Sequence, residues 1–484
     1  MTNDKPIVLP KNGLEKETLL AQMQSYRGDD VPWHENKAWS LVYHAGDEHT
    51  ALIKAAYNLF FSENALNPMA FKSLKRFEHE VVRMTAHLLH GDKNVVGTMT
   101  AGGTESLLLA VKTYRDMARK TRKIKHPEMI LPASAHVAFL KAAEYFDVKP
   151  VFAPLGDDFR VDVAAVQKLI TKNTMLLVGS APNYPFGTID PIEDLGRLAT
   201  AHNLPLHVDA CLGGYLLPFF EKLRQPVPLF DFRVLGVTSI SADVHKYGYA
   251  AKGASTLLYK SMAYMKHQFF VSTEWSGGVF ASAGLLGTRP GGAIAAAWAS
   301  LMGMGEAGYL ALAEKTLATT QKLMAGINAI PELEVLGKPD MSVFAYRSIH
   351  PDVNILAVAD RLEGRGWHID RQQKPESLHA MVNPGHAEIA DDYLADLRDA
   401  VAYVKAHPKM ATSGTAATYG MIAKIPFRGM IRENVLQMMM DMYGPDGGTL
   451  NLDADAQGDD FATKAGLWYL KWKNRMERWR QRRK

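Results

Sequence analysis

The central part of the chain, from residue 94 to residue 260, alternates short apolar runs with longer stretches whose apolar residues recur at helical spacing. Apolar runs bounded by turn residues predict buried strands, and the stretches between them predict the helices that connect parallel strands. The predicted strands cover residues 129–131, 148–152, 174–178, 205–208, 234–239 and 254–259. The predicted helices cover residues 105–119, 137–146, 163–170 and 192–202. This alternation predicts the α/β class, with one large domain around a mixed but mostly parallel sheet.

The flanking regions follow different patterns. Before the sheet, helical periodicity at residues 16–24, 49–61 and 71–90 predicts an N-terminal helical arm that packs on neighbouring structure. Beyond Pro331, a mixture of strands and helices predicts a small C-terminal α+β domain. Its strands are expected at 333–337, 342–347, 368–371 and 379–382, and its helices at 355–363 and 387–406. We therefore divide the chain into an arm (1–90), a large domain (91–308), a small domain (309–443) and a flexible linker with a basic Trp-rich tail (444–484).

Composition limits the class of protein. Hydrophobic residues make up 47% of the 484 positions, enough for large cores. The most weakly polar stretch, residues 292–305, has 14 residues, whereas a membrane span needs roughly 20, so we interpret it as a buried helix. The first residues lack the basic and apolar regions of a signal peptide. The single cysteine, Cys211, excludes a disulfide framework and a zinc site built from thiolates alone. We therefore expect a cytoplasmic protein without a metal site.

The net charge of +4 is unevenly distributed. Residues 464–484 carry nine basic side chains and one acid, which leaves 46 basic and 50 acidic side chains in the rest of the chain. The basic character belongs to the tail, so no nucleic acid partner is expected for the globular part. In the tail, one helical face would carry Trp468, Trp472, Met476 and Trp479. This face suggests a peripheral membrane contact; the alternatives are a helix docked on its own dimer and a disordered basic end.

Candidate chemistry begins with Asp209 and Lys246, which follow two predicted strands in the sequences PLHVD and SADVHKYGY. The carboxyl ends of parallel strands form the ligand crevice of open α/β sheets. An isolated pair of this kind would more often be a turn cap and a solvated lysine. A third feature changes that balance, because the small-residue loop Gly102-Gly103-Thr104 opens a predicted helix. Backbone N–H groups and the helix dipole at such a position suit a phosphate.

Together these groups match what pyridoxal 5'-phosphate requires. Lys246 would form the Schiff base with the cofactor aldehyde. Asp209 would keep the pyridine nitrogen protonated, so that the ring accepts electrons. The remaining contacts are expected from His136 and Cys211 on the two ring faces, and from His245, Gly103 and Thr104 at the phosphate.

Longer sequence runs carry a family resemblance. They are TAGGTESLLLA, ASAHVAFLKAAEYF, SAPNYPFGTIDPI, LHVDACLGGYLLPF, VTSISADVHKYGYAAKGAS and GTRPGG. From about residue 9 to residue 443, the chain resembles the sphingosine-1-phosphate lyases, within the fold-type-I, group II decarboxylase-like class of pyridoxal phosphate enzymes. HVDA and HK alone would identify only the wider class, whereas HVDACLGG together with SISADVHKYGYAAKG is much more specific to the lyases.

The resemblance implies an activity and further site residues. The C2–C3 bond of a phosphorylated long-chain base would be cleaved to a long-chain aldehyde and phosphoethanolamine. Lys252 would contact the substrate phosphate, with Tyr43 and Asn64 nearby, and Tyr249 would transfer a proton. A homodimer with shared active sites is implied, in which Thr288 could reach the partner's cofactor phosphate. Without the family match, Lys252 is more simply a solvated loop charge and Tyr249 a packed core ring.

Some positions depart from the family pattern. Asn67 stands where the eukaryotic pattern has a histidine that helps to hold the substrate phosphate, and Asn can donate a hydrogen bond but carries no charge. Phe280 replaces a tyrosine, and Thr288 replaces a serine. The eukaryotic N-terminal membrane anchor is not found, so we expect the soluble, bacterial-type form. Because the same electron sink serves decarboxylation, an amino-acid decarboxylase stays open as an alternative, as does a cofactor-free scaffold or lipid-binding protein.

Overall fold

Seven strands form the central sheet in a computed structural model that describes residues 8–408, 410 and 428–445. In chain order they are β1 (Val96–Thr100), β2 (Glu128–Pro132), β3 (Lys149–Ala153), β4 (Thr174–Ser180), β5 (Leu206–Asp209), β6 (Val237–Ala242) and β7 (Ser255–Tyr259). Their spatial order is β1-β7-β6-β5-β4-β2-β3. Strands β2 to β6 are parallel, while β7 and β1 are antiparallel to their neighbours. The sheet is mixed but mostly parallel, as predicted, and β4, β5 and β6 all end at one edge.

Among the helices that precede the long connecting helix, several pack on the two faces of this sheet, whereas the first two have no buried residue. In chain order they are α1 (Lys16–Tyr26), α2 (Asp47–Leu59), α3 (Lys72–Leu88), α4 (Gly103–Thr121), α5 (Ala138–Phe146), α6 (Val163–Leu169), α7 (Ile192–Ala201), α8 (Leu217–Lys222) and α9 (Met262–Met265). Adjacent residues of β2 point into different cores, because side chains alternate along a strand. Met129 and Leu131 pack with α4 and α5, whereas Ile130 packs in the core that includes α3, α7 and α8.

Three strands differ from the sequence prediction, which did not include β1 or the hairpin of β8 (Phe270–Ser272) and β9 (Phe280–Ser282). Strand β1 is stabilised by long-range pairing with β7, in the register Gly97 to Leu258. The sheet backbones approach closely there, since a Cβ atom added at Gly97 would lie 2.4 Å from the carbonyl oxygen of Leu257. A short segment that contains a glycine has little strand signal of its own.

The longest helix, α10 (Gly291–Asn328), connects the two hydrophobic cores. Its first part contains residues 292–305, and most of this stretch is buried as predicted. The helix is interrupted at Gly305, whose φ of 60° and ψ of 176° are not helical. Ile294 and Ala297 pack in the core of the large sheet, while Leu323 and Ile327 pack in a second core.

A second, antiparallel sheet lies against that second core. Its strands are β10 (Leu333–Val335), β11 (Val343–Ser348), β12 (Asp370–Gln373) and β13 (Glu376–Met381), in the order β10-β11-β13-β12. The helices that follow α10 are α11 (Ile355–Glu363), α12 (Ala390–Ala406) and α13 (Arg428–Met442). The expected mixture of strands and helices beyond Pro331 is therefore present, with shifts of a few residues in the strands.

Membrane contact was expected only at the tail. Within the part of the chain that the structure describes, no helix combines the length and apolarity needed to cross a bilayer. The predicted tryptophan face of the tail, and nearly all of the segment 444–484, lie outside the described residues.

Candidate active site

A cavity of about 570 Å³ opens at the sheet edge where β4, β5 and β6 end. Its lining includes the loop ahead of α4 and the side chains of His136, Tyr184, Asp209, Cys211, Asp243, His245 and Lys246. The structure thus brings together eight of the nine residues that the sequence assigns to the cofactor. Thr288 is the exception.

The loop ahead of α4 packs its backbone tightly against the cavity floor. A Cβ atom at Gly103 would lie 2.7 Å from Oδ2 of Asp243 and 3.1 Å from Sγ of Cys211, so a larger residue would clash. The Ala101 N–H donates to the Glu105 carboxylate at 2.7 Å, which fixes the first turn of the helix. The first N–H groups of a helix have no intrahelical acceptor and can bind an anion, and here they lie at the cavity wall.

Asp209 is the last residue of β5 and is held by neutral donors. Its Oδ1 accepts a hydrogen bond from the Cys211 N–H at 3.1 Å and from the Ser241 hydroxyl at 3.4 Å. Ser241 is its register partner on β6. His207 lies 3.3 Å from the same hydroxyl and 2.8 Å from that of Ser239. Burial lowers the pKa of His207 to about 4, so this ring is neutral at physiological pH. The Asp209 charge is oriented toward the cavity without a cationic partner in this network.

Lys246 lies in the turn after β6, with Nζ 3.0 Å from Oδ2 of the buried Asp243. Burial alone would lower the pKa of Lys246, but the negative groups around it, Asp243 foremost, outweigh burial and raise it. For Asp243, burial would raise the pKa, but Lys246 and His245 lower it. Each partner therefore stabilises the charge of the other.

Two histidines have fixed orientations at the cavity. His136 accepts the Ala138 N–H at Nδ1 over 3.2 Å, and its ring lies edge-on to that of Tyr184, with centroids 6.4 Å apart. His245 accepts the Ala254 N–H at Nδ1 over 3.2 Å. Burial lowers the pKa of His245, so the neutral ring carries its proton on Nε2 and can donate from there to an anion.

Lys252 and Tyr43 do not line this cavity, but both lie close enough to interact electrostatically with residues that do, Asp243 among them. The Lys252 ammonium is 5.1 Å from the centre of the Tyr43 ring and donates to the Leu41 carbonyl at 2.8 Å. Although Lys252 keeps an exposed surface, partial removal of its ammonium from water and the nearby charge of Lys246 lower its pKa to about 8. A cation poised in this way is suited to an anionic ligand.

The other predicted substrate residues lie together but elsewhere. Asn64 donates to the Thr288 hydroxyl at 3.2 Å. The side-chain Oδ1 of Asn67 accepts hydrogen bonds from the backbone N–H groups two and three residues further on, at 3.0 and 3.3 Å. Thr288 and Asn67 are exposed, and Phe280 packs its ring against Trp275 at 6.3 Å. Asn64, Asn67 and Thr288 do not line the cavity of their own chain.

Tyr249 lies behind the Lys246 turn and is not part of the cavity surface. It adopts a left-handed φ of 53°, and its N–H donates to the Lys246 carbonyl at 2.9 Å. Its ring stacks on Tyr309 with centroids 6.3 Å apart. Burial raises its pKa, opposed by the Thr316 hydroxyl. In this position Tyr249 supports the turn that carries Lys246; its role in proton transfer stays a prediction.

Sequence reasoning missed two residues that line the cavity, Tyr184 and Asp243. Tyr184 lies in the loop after β4, and its hydroxyl donates to Oδ2 of Asp370 at 3.1 Å. Burial and the charge of Asp370 raise the pKa of Tyr184. Both residues follow strands of the parallel sheet, so the position that singled out Asp209 and Lys246 could have identified them as well.

The residues at the cavity fit pyridoxal phosphate. Because Gly103 has no side chain, the backbone at the start of α4 packs closely on Asp243 and Cys211, and its N–H groups are free to bind a phosphate. Nε2 of His245 is a further donor. Asp209 would supply a carboxylate to a pyridine nitrogen, and Lys246 would supply the amine to an aldehyde. His136 provides a planar ring at the cavity wall.

Comparisons with known proteins agree with this assignment. A family model for the pyridoxal-dependent decarboxylase conserved domain matches residues 33–349. A sphingosine-1-phosphate lyase of Arabidopsis thaliana is 45% identical over 448 residues, which cover 91% of this chain and 82% of that protein. The solved structure of a Burkholderia pseudomallei sphingosine-1-phosphate lyase has a TM-score of 0.82 and 39% identity, covering 90% of this chain and 98% of the other.

A glutamate decarboxylase of Lactobacillus brevis has a TM-score of 0.73 but only 21% identity, with 83% of this chain and 96% of the other covered, so it shares the fold alone. The lyases differ from it by retaining a high identity over nearly the whole chain. The cavity, the domain match and these relatives lead to one conclusion: the chain belongs to the sphingosine-1-phosphate lyase family of pyridoxal phosphate-dependent enzymes.

Proposed function

We propose that the protein cleaves the C2–C3 bond of sphingosine 1-phosphate and related phosphorylated long-chain bases, giving a long-chain aldehyde and phosphoethanolamine. The observation that carries this proposal is the second cation, Lys252, near the cavity that holds Lys246 and Asp209. Proteins named sphingosine-1-phosphate lyase at 38–46% identity support the same choice.

Different residues of the chain bind the cofactor, bind the substrate phosphate and transfer a proton. When bound, pyridoxal phosphate supplies an electron sink for the electron pair of the broken carbon–carbon bond. Asp209 and the α4 start orient that group, and Lys246 anchors it. Lys252 binds the substrate phosphate next to Tyr43. The phenol that lines the cavity is Tyr184, and it is placed to hold or move a proton at the substrate hydroxyl.

Product analysis tests the proposal directly. Incubating the holoenzyme with sphingosine 1-phosphate should give equimolar hexadecenal and phosphoethanolamine, measured by mass spectrometry. The reason is that C2–C3 cleavage releases both fragments from one substrate molecule. A parallel reaction with glutamate or an aromatic amino acid serves as the control and should release no carbon dioxide. Carbon dioxide from an amino acid, with no aldehyde from the lipid, would instead support a decarboxylase.

The pH dependence of substrate affinity should reflect Lys252. Its ammonium loses charge above about pH 8, while a phosphomonoester remains a dianion there. KM for sphingosine 1-phosphate should therefore rise above pH 8, by up to about tenfold per pH unit. Lys252→Ala should raise KM about 10- to 100-fold at pH 7, as expected for the loss of a charge-assisted hydrogen bond worth about 1.5–3 kcal/mol.

Lys252→Arg is the matched control, because a guanidinium stays charged throughout this range. Its KM should be nearly flat between pH 7 and pH 9.5, even if it is higher than in the wild type. A KM that climbs equally in Lys252→Arg would assign the titration to another group. The cofactor absorbance should be unchanged in both Lys252 variants.

A homodimer with shared sites explains the residues that do not line their own cavity. The segment around β8 and β9 exposes large apolar side chains, among them Phe270, Val271, Trp275 and Val279. Apolar surface of this extent is typical of protein interfaces. We infer that a second copy covers it and that Asn64, Asn67 and Thr288 complete the partner's site. Membrane contact through the tail and a cytoplasmic location stay predictions from the sequence.

A further inference from the structure

Tyr184 is held at the cavity by two residues of the small sheet, Asp370 and His379. Its hydroxyl donates to Oδ2 of Asp370, and its ring stacks on His379 with centroids 4.3 Å apart. Nε2 of His379 lies 2.8 Å from the Tyr184 carbonyl oxygen. Asp370 and His379 are register partners on β12 and β13. A strand pair of the small sheet thus fixes both ends of a residue that lines the cavity.

The protonation state of His379 follows from its contacts. A carbonyl oxygen only accepts, so Nε2 carries the proton. His379 is completely buried, and burial lowers its pKa against the opposing effects of the Tyr184 carbonyl and the Asp370 carboxylate, which favours a neutral ring with Nδ1 unprotonated. This Nδ1 lies 4.0 Å from Oδ2 of Asp370 and has no hydrogen-bond donor among the residues that the structure describes. Buried acceptors without a donor are unusual in proteins, and this one faces a carboxylate.

We propose that Tyr184, Asp370 and His379 form a proton relay from the cavity into the small sheet. The proposal rests on the lyase function argued above. The O–H bond at C3 of the substrate breaks as its proton moves to Oη of Tyr184, and the proton of Tyr184 moves to Oδ2 of Asp370. The electron pair left on the substrate oxygen forms the aldehyde carbonyl as C2–C3 breaks, and the pair of that bond stays with C2, where bound pyridoxal phosphate would supply the electron sink. The new Asp370 O–H then donates to Nδ1 of His379.

The electrostatics favour coupled transfer over a free phenolate. Burial and the charge of Asp370 raise the pKa of Tyr184, so a phenolate beside that carboxylate would be costly. In the relay Tyr184 stays neutral throughout, because it gains one proton as it loses another. The Asp370 side chain is 31% exposed, which provides a route for the proton to return to water.

The Asp370→Asn variant separates proton transfer from positioning. An Asn oxygen still accepts the Tyr184 hydroxyl and fills the same volume, but it cannot take up a proton. We expect the rate constant for cleavage in single-turnover experiments to fall about 100-fold. KM and the cofactor absorbance should stay within about twofold of the wild type. The wild type should show a curved proton inventory in mixtures of H₂O and D₂O, since two protons move together. The inventory should become linear in Asp370→Asn.

Two further variants complete the test. Asp352→Asn removes an exposed carboxylate of the same part of the chain and should leave kcat unchanged. Tyr184→Phe keeps the ring stacked on His379 and should lose at least as much kcat as Asp370→Asn. If Asp370→Asn fails to fold, Tyr184→Phe is the variant that tests the relay. Wild-type kcat in Asp370→Asn or in Tyr184→Phe would overturn the relay alone. A wild-type enzyme that does not cleave sphingosine 1-phosphate would overturn the lyase proposal and the relay together.

Discussion

The Lys246→Ala variant should lose the covalent cofactor link and, with it, turnover by at least ~1,000-fold, the scale on which positioned catalytic groups act. Lys246 is the amine at the cavity for which the structure provides both a charge partner and a rigid turn. The measurements are the cofactor absorption spectrum, mass spectrometry after borohydride reduction, and single-turnover cleavage. In the wild type, reduction should fix the cofactor to the peptide that contains Lys246.

Loss of fold must be distinguished from loss of chemistry in this variant. Removing Lys246 leaves Asp243 buried without its cation, and breaking a buried pair costs up to about 3–5 kcal/mol. The double variant Lys246→Ala/Asp243→Asn should recover much of the thermal stability and none of the activity. Lys266→Ala, at an exposed lysine, is the neutral control. Turnover near the wild-type level in Lys246→Ala would refute its assignment as the cofactor lysine.

The second large effect is expected at Asp209. Asp209→Asn should lower kcat by about 100- to 10,000-fold, because an amide cannot hold a proton on the pyridine nitrogen and the ring becomes a weak electron sink. Asn can still accept hydrogen bonds from the Cys211 N–H and the Ser241 hydroxyl, so the fold should be retained. The checks are kcat, the cofactor spectrum and the melting temperature.

Asp157→Asn provides the control for Asp209→Asn, because Asp157 is exposed and does not line the cavity. It should match the wild type in all three measurements. If Asp209→Asn kept most of its kcat while its cofactor spectrum stayed normal, Asp209 would be a structural cap on β5 and not the ring partner.

Most of the residues that the sequence predicts to bind the cofactor line one cavity, for a physical reason. Asp209 and Lys246 follow apolar runs, and parallel strands place the ends of such runs at one edge whatever the details of packing. The helix start at Gly103 depends on local residues only. Each of these features can therefore be read from a short window of sequence.

The remaining parts depend on contacts between distant segments. Tyr184 meets Asp370 and His379 only because the small sheet docks against the loop after β4. Strand β1 forms only because β7 offers its edge. Asn64 and Thr288 meet across more than 200 residues of chain. Periodicity within a window carries no information about such docking, which is set by the packing of whole layers.

The hydrogen bonds behind Asp209 fix the direction of its carboxylate before any ligand binds. Ser241, His207 and Ser239 are neutral and lie on alternate rungs of β5 and β6, so the direction of the carboxylate is set when the sheet forms. None of these three side chains has to rotate or change its charge when the pyridine nitrogen of the cofactor binds next to Asp209. The site is therefore preorganised. Its polar groups are already oriented in the folded protein, so little reorganisation energy is needed during the reaction.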